Sequence, residues 1–277
     1  MSACGLLFGQ LSRDSTKQGG EYLKLPYTRG ITNELPAMMI GLSSHALFYY
    51  NERLPAAREM HAGVNPFAYW LASVLYDIVI SFFYTAAYVV PYFAKAAPLM
   101  PLLTLLMPWL AFCWYWSGVG MLAAVLVTDG TLGIMVCVFV PILEMFWNGV
   151  MNGEQLGYIN EMGSIKNFFS QLSAGRWHAT AVYTDELLQL PPHALNFTVN
   201  SELMKKFGVD KADVAGEATK AQRNLWLLAF ALHVIVLLAQ LYEKYQHSIS
   251  PMALVRRYCK RSQKITYQDA DALLRTW

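Results

Sequence analysis

Charge is scarce in this chain: Asp, Glu, Lys and Arg make up 14% of 277 residues, against roughly 25% in an ordinary soluble domain. With 55% apolar residues and a positive mean hydropathy, that shortage argues against a solvated globular domain and for a membrane protein. Basic residues do not gather into a stripe with aromatics, and the net charge is only +2, so nucleic acid is not an expected partner. Cysteine is sparse too. Cys4, Cys113, Cys137 and Cys259 have neither CxxC nor metal-ligand spacing, and two of them lie inside apolar runs, which predicts buried thiols and no disulfide or metal site. The chain has no GxxxxGKS or GxxxxGKT loop to cradle phosphate. Its opening, MSACGLLFGQLSRD, has no basic flank before a short apolar stretch, which argues against a cleavable signal peptide.

What is present is a series of long apolar runs. Ala96 to Thr128 contains no acidic or basic residue, more than the roughly 20 residues that a helix needs to cross a 30 Å core. Pro66 to Val90 carries only Asp77, Thr131 to Val150 only Glu144, and Asn224 to Tyr242 none. Thr28 to Tyr50 is a weaker run, crowded at its start by Arg29, Glu34 and Pro36. The predicted spans are 28–50, 66–90, 98–127, 131–150 and 224–242. ACGLLFGQL is too short to cross and reads as the remnant of a first span, with 1–27 as that remnant and a connector. The predicted fold is therefore an all-α polytopic bundle of about five full spans over 28–245, followed by a tail at 246–277.

Loop charge orients the spans. Lys244, Arg256, Arg257, Lys260, Arg261, Lys264 and Arg275 place the tail in the cytosol. Counting back puts segment 151–222 outside and the polar patch after Tyr50 inside. Asn196-Phe197-Thr198 is a glycosylation sequon within the external segment, so Asn196 is an expected acceptor. Within that segment, Ser164 is expected to cap a helix running to about Leu172. Residues 176–189 show helical spacing with a polar face, and Pro191-Pro192 ends that run.

The patch between the first two spans reads LFYYNERLPAAREMHAGVNPFAYW. Pro55 suits a first helical position and Gly63 a helix end, while Asn65 and Pro66 cap and start the next span. One reading is a solvated connector anchored by headgroup-level aromatics. The other is a short cytosolic helix that receives force from a soluble partner.

The stretch from Leu47 to Asp77 resembles the G subfamily (White/pigment type) of ATP-binding cassette transporters, where an aromatic-x-x-Glu-Arg helix end precedes an amphipathic coupling segment. A second block, FFSQLSAGRWHATAVYTDELLQLP (Phe168 to Pro191), is similar to that family's external segment before its last span. Ser173, Arg176, Trp177 and Glu186 match its recurring residues. WNGVMNG (Trp147 to Gly153) resembles its exit from the fifth span. The likeness covers about 3–245 and implies an ABC-2, type V exporter-like membrane domain. It implies a coupling segment containing Glu52, Arg53, Arg58 and Glu59, and an external lid with Arg176, Trp177 and Glu186. It further implies a pathway touching Ser43, Ser44, Phe48, Glu144 and Asn148.

The family usually carries an ATP-binding domain, and this chain lacks that domain and most of the first span. No cofactor is expected in the chain itself. ATP and magnesium are expected on a partner nucleotide-binding domain or a missing N-terminal portion, and hydrolysis would reside there. The remaining partners implied are a second subunit, identical or related, and a lipophilic small molecule or lipid, in the plasma membrane or an internal membrane. The rival reading is a non-transporting membrane subunit or truncated product that binds a partner or lipid.

Two intramembrane carboxylates stand out. Asp77 lies roughly 16 Å into its span at 1.5 Å per residue, where an unpaired carboxylate costs about 2.5 to 3.5 kcal/mol. It must face protein or water, and a structural role is the favoured reading. Glu144 falls in the outer third of its span. His45 and His233 have no partner at ligand spacing and read as satisfied core histidines. An intramembrane enzyme is not supported, because no nucleophile–base or metal spacing accompanies these groups. Gly120 and Ala124 form one small-xxx-small pair, a weak packing signal.

Overall fold

A computed structural model describes residues 1–17, 36, 38–48, 63–96, 98–127, 129–147, 165–189 and 213–249. The named elements are helices: α1 (Ser2–Lys17), α2 (Pro66–Ala96), α3 (Leu102–Leu126), α4 (Gly130–Trp147), α5 (Ile165–Gln171), α6 (Ala174–Leu187) and α7 (Val214–Ile249). Residues 38–48 add a further helical segment between α1 and α2. Three helices among the described residues are long and apolar enough to span a bilayer: Pro66–Ala96, Leu102–Leu126 and Val214–Tyr242. Gly130–Glu144 is a shorter apolar one. The protein is a multi-pass integral membrane protein built as a helical bundle.

Local chemistry sets the helix starts. Asn65 Oδ1 accepts the Phe67 amide proton at 3.0 Å, and Pro66 needs no donor partner in the first turn. Gly63, just before, has φ of 103°, a left-handed backbone that favours glycine. Asp129 caps α4 through the Thr131 amide at 2.8 Å, and Asp213 caps α7 through the Gly216 amide at 3.0 Å. That cap, with a Glu217–Lys220 pair at 3.0 Å, explains why α7 begins well before Asn224, in residues whose polarity had read as external loop. Likewise α2 runs past Val90 to Ala96 through Pro91. Its 31 residues measure about 46 Å, longer than a 30 Å hydrocarbon core.

The central helix is α3. Its most apolar window is 78% buried, against 33% for α2 and 28% for α7. A helix apolar on every side has no face to give to water, so it fills the middle of the bundle. α2 and α7 pack on it with one face and leave Leu71, Leu75, Val79, Phe82 and Phe83 of α2 exposed, as a lipid-facing surface requires.

Close approaches use glycine. A Cβ at Gly120 would collide with the Gly41 carbonyl oxygen and the His45 amide nitrogen, so α3 and the 38–48 segment touch backbone to backbone. Gly5 and Gly9 of α1 do the same against Tyr88 and Tyr92 of α2. GLLFG is thus a functioning GxxxG face, missed in reading the sequence because the stretch is too short to span.

Candidate functional site

Near the middle of the bundle, one polar network joins four helical segments. Asp77 of α2 is buried. Its Oδ1 accepts a hydrogen bond from Ser117 Oγ of α3. Its Oδ2 faces His233 Nε2 of α7 at 3.1 Å. Ser44 Oγ lies 2.8 Å from Ser117 Oγ, and because Ser117 donates its proton to Asp77, Ser44 is the donor in that bond. The other imidazole nitrogen, His233 Nδ1, faces the Ala229 carbonyl oxygen at 2.8 Å. Trp114 stacks on the imidazole with centroids 4.5 Å apart, and Trp70 Nε1 donates to the His233 carbonyl at 2.8 Å.

This arrangement answers the burial problem raised by Asp77. Both carboxylate oxygens have partners, so the group does not face lipid alone. The order Ser–Asp–His, with the acid in the middle, also excludes a hydrolytic triad, which places histidine between nucleophile and acid. Both imidazole nitrogens are already engaged.

An open cleft of about 380 Å³ lies beside this network, lined among others by Ser43, Ser44, Phe48, Tyr76, Asp77 and Tyr84. Ser43, Ser44 and Phe48, expected on a pathway, therefore share one wall, and Asp77, expected to be structural, sits on the same cleft. Ser43 Oγ is bonded to its own helix at the Met39 carbonyl, 2.7 Å away.

Glu144 goes elsewhere. Its Oε1 accepts from Ser173 Oγ and from the Gly175 amide, both at 2.7 Å. Ser173 is the N-cap of α6, so the carboxylate sits at the positive end of that helix. A residue on α4 thereby holds the start of α6.

α6 is buried along its whole length, polar residues included. The expected polar face is present but turned inward, where the side chains of Arg176, Thr184 and Asp185 find hydrogen-bond partners within the protein. Arg176 Nη1 donates to Ser170 Oγ at 2.6 Å, and its guanidinium lies 5.2 Å from the Trp177 ring centre. Burial pulls the Arg176 pKa below its usual value. Trp177 Nε1 donates to the Gln171 carbonyl at 2.8 Å, and Glu186 is buried. Asp185 accepts from Gln222 of α7 at 2.8 Å, while burial pushes its pKa upward and that hydrogen bond opposes the shift. His178 wedges between Phe112 and Trp109 of α3, with centroids 4.5 and 4.6 Å away.

Residues 3–164 match the ABC-2 type transporter family. The chain belongs to that family. A search of curated proteins found no match to it. As an ABC-2 membrane domain it is the transmembrane part of an ABC transporter, which works with an ATP-binding partner and does not itself carry the catalysis. The coupling-segment residues Glu52, Arg53, Arg58 and Glu59, the pathway candidate Asn148 and the sequon Asn196 lie outside the described residues. Sequence reasoning missed Ser117, His178, Asp185 and Gln222 as site residues. Each is an unremarked polar residue, and only long-range packing gives it a partner.

Proposed function

We propose that this ABC-2 membrane domain is the membrane-spanning unit of a G-subfamily, ATP-driven exporter of lipophilic molecules or lipids. A partner nucleotide-binding domain, holding ATP and magnesium, closes and pushes the segment from Pro55 to Gly63 through Glu52, Arg53, Arg58 and Glu59. The two helices flanking that lever tilt and switch the cavity between inward-open and outward-open. A second subunit, identical or related, completes the enclosure. The subfamily reading is supported by the two sequence blocks at 47–77 and 168–191, which occur in the family's order. The lipophilic cargo is supported by the cleft's mixture of Leu47, Phe48, Ile80 and Met121 with scattered hydroxyls.

The observation that carries the reading is the family match over 3–164, which contains the whole coupling segment. The test is co-purification of the chain with an ATPase subunit, followed by transport in proteoliposomes. Changing Glu52 and Arg58 together to Ala is expected to abolish both the association and ATP-dependent transport. A wild-type chain that holds no ATPase and moves no lipophilic probe would instead be the non-transporting subunit.

A further inference from the structure

Hydrogen-bond direction gives the cleft beside Asp77 two unlike walls. On the 38–48 segment, Ser43 Oγ donates its proton to the Met39 carbonyl at 2.7 Å. Ser44 Oγ lies 2.8 Å from Ser117 Oγ, and Ser117 gives its proton to Asp77, so Ser44 spends its own on Ser117. Both serines line the cleft, and each has only lone pairs left to offer. The hydroxyls of this wall accept hydrogen bonds and donate none. The α2 wall carries the hydroxyls of Ser73, Tyr76 and Tyr84, which can donate. Asp77, also of α2, has a partner on each oxygen, Ser117 on one and His233 on the other.

A polar group that suits both walls must donate a proton to one and accept from the other. A hydroxyl does both. A carboxylate or an ether has no proton for Ser44. An anion would also lie beside the Asp77 carboxylate in a lining that, among the described residues, includes no Lys, Arg or His. An ammonium cannot accept from the α2 phenols, and both Asp77 oxygens are engaged. The rest of the lining is apolar, with Leu47, Phe48, Ile80 and Met121. The volume of about 380 Å³, mouth included, is at the low end for small-molecule sites, which suits a slim hydrocarbon chain better than a fused-ring body. At Leu47 and Phe48 the segment turns π-helical, a local irregularity frequent at functional sites.

We infer that this cleft binds a straight-chain alcohol, whose hydroxyl donates to Ser44 Oγ and accepts from the α2 hydroxyls while its chain lies along Leu47, Phe48 and Ile80. The assignment deepens the exporter reading and rests on it for the alcohol's role as cargo. Ser44 sets the preference for a donor, because it is buried and an occupant without a proton leaves its lone pairs unmet.

The test is competition photolabelling of the full chain in nanodiscs, without ATP. The probe is decanol carrying a diazirine on its chain, and the label is mapped by mass spectrometry. Label is expected within 43–48 and 73–84. Compared at equal membrane concentration, decanol is expected to displace the probe and its methyl ether to need about three- to tenfold more, the ratio that one hydrogen bond supplies. Ser44→Ala is expected to abolish the preference for decanol over the ether, and Ser44→Thr to keep it. Leu47→Trp, which fills the cleft from an exposed position of its lining, is expected to remove the label. Equal competition by decanol and its ether in the wild type overturns the inference, as does label that falls outside these two stretches. Should Ser44→Ala fail to insert, the wild-type comparison and Leu47→Trp carry the test. Binding is read apart from transport. A chain that moves another lipophile but has no decanol site refutes the cargo class alone, whereas one that binds decanol but holds no ATPase refutes the exporter reading alone.

Discussion

Replacing Glu144 by Ala removes the acceptor for two buried donors at once, Ser173 Oγ and the Gly175 amide, each 2.7 Å from the carboxylate. Hydrogen bonds to a charged group contribute about 1.5 to 3 kcal/mol each, so the pair is worth about 3 to 6 kcal/mol. At 1.4 kcal/mol per factor of ten, local opening at the start of α6 should rise by about 10² to 10⁴. Ala181, fully buried on α6, supplies the reporter. A cysteine at that position, in a chain freed of its own cysteines, becomes reactive to a maleimide only when α6 lifts away. Glu144→Ala should accelerate labelling by that factor. Glu144→Gln keeps one neutral acceptor and should accelerate it by about tenfold, consistent with an exchange of charged for neutral bonds. Labelling of Glu144→Ala no faster than the parent would refute the claim that this carboxylate holds α6 down.

Further outcomes follow from the packing and from one buried acid. Gly120→Val places carbon against the backbone of Gly41 and His45, so the helices must part at a cost of about 1 to 3 kcal/mol or more. The detergent-extracted variant should lose its monodisperse peak at a lower temperature than the parent. Gly5→Ile and Gly9→Ile should each release α1 from α2, read as faster proteolysis within 2–17, because Tyr88 and Tyr92 backbone atoms leave no room. Asp185 titrates above its ordinary range because of burial. The folded state therefore binds that proton more readily than the unfolded chain, and stability falls as pH rises through the raised value. Asp185→Asn should melt at the same temperature as the parent or higher at neutral pH. The difference should shrink on acidification, and a variant markedly less stable at neutral pH would contradict this.

The order of the spans was legible because it follows from charge alone. The uncharged run from Ala96 to Thr128 became α3, whereas its enclosure on all sides came only with the packing. Asn65 and Pro66 announced the start of α2, and the helices expected from Ser164 to about Leu172 and over 176–189 are found at Ile165–Gln171 and Ala174–Leu187. Partners were not legible. Asp77 meets His233 across 156 positions, and periodicity carries no information about contacts at that range. The polar residues of α6 matched a surface helix by composition, yet they are buried, because Ser170 and Gln222 lie on neighbouring helices. Gly5 and Gly9 were visible at GxxxG spacing, but a stretch too short to cross drew no attention as a packing face.

The lever model requires the coupling segment and the external segment to lie on opposite sides of the bilayer. Single cysteines at Arg58 and Asn196, in a chain freed of its native cysteines and held in sealed vesicles of known orientation, measure this with a membrane-impermeant maleimide. Position 196 should label from the external side and position 58 only from the cytosolic side. Labelling of both from one side would leave no lever for a soluble partner to push.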